Sequence, residues 1–265
     1  MIPVRAGRVE QVTCAVLSRQ SLPSRSQPRA TCLRPPQSCL FATTFALLRM
    51  RVLVLGGTGA IGQLMIRDLL EASHTVVVYA RSPEKLPDDI TSNPNVTIVK
   101  GELADPAALS EALKGVEAVV SSLGPSRTNP PGNPIAKGYS VLIKCMHEAG
   151  VKRLIALGTA SIPDEHDKKD TTFWLAVQTV KFGAHHAYTD IVAIGETIRN
   201  EGADLDWTIA RVPILTNGQT REYQLGYLGD GKRNTTLTRV GYATFIVDEL
   251  RLNEWIKKAP FLSVS

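Results

Sequence analysis

The chain is short of cysteine where a disulfide framework would need it. Of four cysteines, Cys14, Cys32 and Cys39 stand in the first fifty residues, and Cys145 is alone in the remaining body. One thiol cannot staple a fold, so the body suits a reducing compartment and a cytoplasmic location is expected. Long apolar runs are also missing. No stretch reaches the ~18 residues that a membrane helix needs. The segment "CLFATTFALL" (39–48) is too short to span and too far from the start for an ordinary secretory signal. Acid is nearly absent at the beginning: residues 1–50 hold seven arginines, no lysine and one acid, Glu10, a balance of +6. The rest carries 23 bases against 24 acids. The basic character therefore belongs to the first segment, and the body gives no reason to expect nucleic acid as a partner.

Residues 1–49 are rich in Arg, Ser and Pro. Two readings stay open. The segment is a targeting presequence, which would make the location mitochondrial, or it is a disordered leader or upstream extension ahead of Met50. The body, residues 50–265, is expected to form one domain with a small C-terminal lobe on the substrate side.

From Arg51 onward, apolar runs alternate with helical periods. Strands are expected at 51–56, 75–80, 96–101, 117–124, 153–158 and 206–213. Helices are expected at 60–72, 105–115, 135–150, near 188–201, and at 240–251 as the closing element. Asp105 is a candidate N-cap with Pro106 at the first helical position, and Gly115 and Gly150 are stops. Continuous apolar strands followed by helices specify a doubly wound parallel sheet, an α/β Rossmann-type fold.

The first turn, "LGGTGAIG" (55–62), places Gly56, Gly59 and Gly62 three apart, with Gly57 completing a GxGxxG reading. After a strand and before a helix, such glycines permit a tight bend, close approach of a diphosphate and close helix packing. Free amides and the helix dipole would hold the phosphate charge. After the second strand comes "YARSPEK" rather than the acid that would bind a ribose hydroxyl. Arg81, Ser82 and nearby Lys85 favour a 2′-phosphate, so NADP(H) is the expected cofactor.

The segments "VLVLGGTGAIG", "YARSPEKL", "GELADPAALSEALKGVEAVVSSLG", "VKRLIALGTASI" and "GADLDWTIARVPILTNG" resemble an atypical short-chain dehydrogenase/reductase. The branch is the NAD(P)H-binding group of NmrA-like proteins and the flavin reductase/biliverdin reductase B type. The resemblance implies that Gly56, Thr58, Gly59, Ala60, Ile61 and Gly62 line the diphosphate. It implies that Arg81 and Ser82 meet the adenosine phosphate, Glu102 and Leu103 the adenine, and Ser122 and Leu123 the ribose. Thr159 falls where relatives place a serine near the nicotinamide, and Arg211 and Pro213 match an Arg-Pro pair.

The Tyr-x-x-x-Lys pattern of many short-chain reductases is incomplete: Tyr188 is followed four residues later by Val192, although Glu196 is kept. Tyr188 is then either a proton donor or a packing residue. The loop "PDEHDKKD" (163–170) reads as exposed, without a credible metal arrangement. His185 and His186 are expected on the substrate side, and Phe173, Trp174, Tyr223 and Tyr227 are candidate pocket aromatics. Two functions follow: an NADPH-dependent oxidoreductase acting on a conjugated or aromatic small molecule, such as a flavin, quinone or polyketide-like compound, or an NADP(H)-binding regulator without catalysis. Oligomeric state stays open.

Overall fold

The computed structural model describes residues 49–231 and 234–264. The readings offered for residues 1–48 lie outside these. The chain runs β1 (Arg51–Leu55), α1 (Ala60–Glu71), β2 (Thr75–Ala80), a 3-10 turn at Pro83–Lys85, α2 (Asp88–Thr91) and β3 (Val96–Lys100). It continues through α3 (Pro106–Ala112), β4 (Ala118–Ser121), α4 (Pro134–Ala149) and β5 (Arg153–Thr159). Then come α5 (Thr171–Gly183), α6 (His185–Glu201) and β6 (Asp206–Val212). The last part holds β7 (Ile214–Thr216), β8 (Gln224–Gly226), β9 (Thr236–Thr238), α7 (Arg239–Leu252) and β10 (Phe261–Ser263).

Eight strands form one sheet in the order β3-β2-β1-β4-β5-β6-β10-β8, parallel except where β8 runs against β10. β7 and β9 pair separately. This is the doubly wound Rossmann-type architecture that the βα alternation specifies. The direction of winding reverses between β1 and β4, which opens a crevice at the carboxyl ends of those strands.

Alternation along each strand explains the two-sided core. Leu53, Val77 and Val119 join the layer with α3, α4 and α6, while Val52, Val54, Val76 and Val78 join that with α1 and α7. Every one of these seven side chains is fully buried. Each contributes about 1.5–3 kcal/mol by leaving water.

Helix ends follow local chemistry. The Asp105 carboxylate accepts the Ala107 and Ala108 N–H groups at 3.0 and 3.1 Å. α4 stops where Gly150 takes a φ of +72°. α3 ends earlier than expected, at Ala112, and Gly115 bends the turn beyond it.

Further departures from expectation concern α5, α6 and the end of the chain. α5 lay in a stretch assigned no element; of its residues only Phe173 is buried, so no apolar stripe marks it. α6 begins at His185, one turn earlier than expected. α7 does not close the chain: β10 follows and inserts between β6 and β8, a three-residue strand too short to show a period.

Candidate active site

The glycines after β1 are there for different reasons. Gly56 has a φ of +78°, and a Cβ on it would stand 2.7 Å from the Ser122 hydroxyl. That hydroxyl donates toward the Leu55 and Gly56 carbonyls, so Ser122 braces the turn. A Cβ on Gly57 would meet Val78 at 2.7 Å, and one on Gly62 would sit 2.2 Å from the Gly56 carbonyl oxygen. Both are needed for packing. Gly59 differs: its φ is −79°, and a Cβ there would meet nothing nearer than 3.4 Å. The protein's own packing does not require glycine at 59.

Gly59 is the N-cap of α1 and provides no side-chain cap, and the first turn holds no acid. The N–H groups of Ala60, Ile61 and Gly62 have no partner among the described residues. They form an anion-ready helix start. Beside it lies a cleft of about 570 Å³, lined by Gly56 and Thr58 and, across from them, by Arg81, Ser82 and Lys85. Neither the Arg81 guanidinium nor the Lys85 ammonium has a hydrogen-bonded or ion-pair partner among the described residues. Glu102 and Leu103 after β3 and Leu123 after β4 complete the rim. The residues therefore fit a dinucleotide: free amides for a diphosphate, free cations after β2, and a turn without a side chain at 59.

Tyr79 lines the same cleft, and its hydroxyl donates to the Glu102 carbonyl at 2.7 Å. Burial, reinforced by the Asp105 carboxylate, pushes its phenol up to about 12, so it holds its proton and serves as a donor. A Cβ on Gly101 would stand 2.3 Å from that hydroxyl oxygen and 2.6 Å from the ring, which explains the glycine.

The far wall, between β4 and α4, is fastened from behind. The Tyr139 hydroxyl donates to Ser121 Oγ at 2.7 Å, and the Leu123 N–H donates to the same oxygen. Asn129 donates to the Asp190 carboxylate at 2.8 Å, which also accepts the Ile135 and Ala136 N–H groups. Asp190, fully buried, thus caps α4 from α6 and ties the cleft to the helix bearing Tyr188. Sequence reasoning passed over Asp190. Its signal was a lone acid on the apolar stripe of Ala187, Ile191, Ile194 and Ile198.

A second cavity, about 650 Å³, opens after β5 between α5 and α6. Phe173, Trp174 and Val177 of α5 face Tyr188 and Val192 of α6, with Ser161 after β5. Lys181 brings its ammonium 5.7 Å from the centre of the Tyr188 ring. Thr159 ends β5 and Pro213 follows β6, and neither lines a cavity. Thr159 Oγ1 accepts the Ser161 N–H, which leaves its own O–H free to donate.

Several expectations are corrected. His185 and His186 are exposed and do not line the pocket. Tyr223 packs on Phe245 and donates to Asp248 instead, and Tyr227 stacks on His166. The acidic loop is not simply solvated, because Asp167 is drawn onto the buried Arg211. Among the described residues, no three His, Cys, Asp or Glu side chains gather as a metal would need, and no helix is long and apolar enough to cross a membrane.

A family model described as NAD(P)H-binding matches residues 56–252. The 2-alkyl-3-oxoalkanoate reductase of Stenotrophomonas maltophilia is 29% identical over 211 residues, 75% of this chain and 61% of that protein. The photosystem II assembly factor Ycf39 of Synechocystis is 33% identical over 108 residues, 40% of this chain and 32% of that protein. The matches thus span less than two thirds of these relatives' lengths. A short-chain dehydrogenase/reductase of Veillonella parvula, solved in complex with NADP, superposes with a TM-score of 0.66 at 18% identity, over 81% of this chain and 94% of that one. ChuY, an anaerobillin reductase of Escherichia coli, gives 0.65 at 16% identity, over 80% and 96%. These likenesses show the Rossmann-type fold. A family model that covers most of the chain, from 56 to 252, shows that the chain belongs to the NAD(P)H-binding family.

Proposed function

We propose that the protein is an NADPH-dependent reductase that delivers hydride to a conjugated or aromatic small molecule. The observation that carries this reading is the pairing of two cavities at the carboxyl edge of one sheet. One has unpaired Arg81 and Lys85; the other is walled by Phe173, Trp174, Val177 and Val192. Arg81, Ser82 and Lys85 favour the 2′-phosphate of NADPH over NADH. Bound NADPH supplies the hydride. The chain's part is to hold the acceptor in a largely apolar pocket, with the Tyr188 hydroxyl as a donor toward developing negative charge. Val192, where the Tyr-x-x-x-Lys pattern of many short-chain reductases has lysine, leaves proton delivery weakly assisted, which suits conjugated acceptors better than simple ketones. The relatives named as reductases agree with this reading.

The test is NADPH consumption, followed by absorbance, with the full chain and a panel of flavins, quinones and aldehydes. Turnover is expected with flavins or quinones. Saturable cofactor binding without turnover on any acceptor would favour a second reading, a non-catalytic NADP(H)-binding protein. Val192 beside Tyr188 and a relative named as an assembly factor favour that alternative.

A further inference from the structure

Two buried polar side chains behind the first cleft fix one another's orientation. Asp190 stands on α6 between Tyr188 and Val192, which line the second cavity, while its own side chain turns toward the wall of the first. Its carboxylate is fully buried and has no ion-pair partner among the described residues. It accepts three N–H groups instead: the Asn129 side-chain amide at 2.8 Å, and the Ile135 and Ala136 backbones at 3.2 and 2.9 Å. An ionised carboxylate only accepts, so the Asn129 amide must meet it nitrogen first. The same nitrogen reaches the Pro130 carbonyl at 3.5 Å. The side-chain oxygen of Asn129 is thereby left with no donor among the described residues. Asn129 is 8% exposed and lines the first cleft, and its oxygen is not one of the unpartnered atoms sealed in the core. The cleft is thus offered an acceptor whose orientation is set from behind.

We infer that Asn129 is a cofactor-binding residue whose side-chain oxygen accepts a hydrogen bond from a hydroxyl or amino group of the dinucleotide, and that Asp190 is the positioning residue holding the amide that way round. The assignment rests on the cofactor cleft of the reductase reading and is independent of hydride transfer. Turned over, the amide would point its N–H2 at a ligand group that is itself a donor, and the hydrogen bond would be lost. Asp190 has no substitute at the start of α4, because the N-cap residue Asn133 makes no side-chain cap bond.

Equilibrium binding of NADPH to the full chain tests this, with a thermal melt on each variant to separate binding from folding. Asn129→Leu keeps the size and net charge and is expected to bind NADPH about tenfold more weakly. Asp190→Asn is the second variant. It is nearly isosteric, but it can turn either an oxygen or an N–H2 to Asn129 and so no longer dictates the orientation of that amide. Loss of a negative charge would by itself favour the anionic cofactor. The positioning role predicts the opposite sign, a fall in affinity of about threefold. The same titrations with 2′,5′-ADP, the adenosine half alone, locate the donor: a matching loss places it in that half, and an unchanged affinity places it in the nicotinamide half. Parental affinity for NADPH in folded Asn129→Leu, or parental or tighter affinity in Asp190→Asn, overturns the assignment and leaves the cofactor reading standing. A parent protein that takes up no NADPH overturns both.

Discussion

Arg211 and Asp167 form a two-pronged ion pair in which the arginine is wholly buried at the end of β6 and the aspartate comes from the loop between β5 and α5. The guanidinium also donates to the Ala259 and Ile162 carbonyls. One side chain thereby joins β6, the approach to β10 and the loop that borders the second cavity.

Removing the aspartate leaves a buried charge without its partner. Asp167→Ala is expected to lower stability by about 3–5 kcal/mol. Urea unfolding monitored by circular dichroism measures it, and a midpoint equal to the parent's would contradict the role assigned to the pair.

The glycine turn makes two opposite predictions. Gly59→Ala has room for its Cβ and a permitted backbone, so folding should be preserved while cofactor affinity drops at least about tenfold. Gly62→Ala places a methyl against the Gly56 carbonyl and should lower the melting temperature outright. Calorimetric titration with NADPH and a thermal melt on each variant distinguish them.

Arg81 should discriminate between the two nicotinamide cofactors. Arg81→Asp replaces a free cation with an anion where a 2′-phosphate is proposed to sit. NADPH affinity should fall roughly ten- to a hundredfold, as expected for hydrogen bonds between charged groups. NADH should be nearly unaffected. Equal losses for both would remove the phosphate-binding role.

On the far side of the sheet, Asp204 accepts from Lys152 at 2.6 Å and His147 at 2.7 Å. The Lys152 hydrogen bond is the main reason its carboxyl falls from 3.8 to about 2. A depressed carboxylate stabilises the fold above the unfolded-state value and loses that contribution as pH falls through the folded one. The stability difference between the parent and Asp204→Asn should therefore be present at pH 5 and disappear toward pH 2. Denaturation midpoints across that range measure it; a difference independent of pH would exclude the linkage.

Much of the fold was legible because it rests on local signals. The first six strands of the sheet, the Asp105 cap and the Gly150 stop are each written within a few residues. α5 was not, since Trp174, Leu175 and Phe182 are exposed and give no buried stripe to read. Nor was β10, whose three residues become a strand only because β6 and β8 flank them. Asp190 and Asp167 looked like a helix acid and a loop acid until the groups they bind came together from 54 and 44 positions away.

The sequence by itself determined the winding of the sheet, the glycine turn and the cations that follow β2, because strand alternation, backbone freedom and helix-end chemistry act over a handful of neighbours. Only the tertiary structure decided which glycine is left without a packing reason and which acids are engaged. It alone separated the aromatics that line a cavity from those that pack elsewhere. Those properties depend on what stands across the gap from a residue, and that neighbour is chosen by packing between distant parts of the chain.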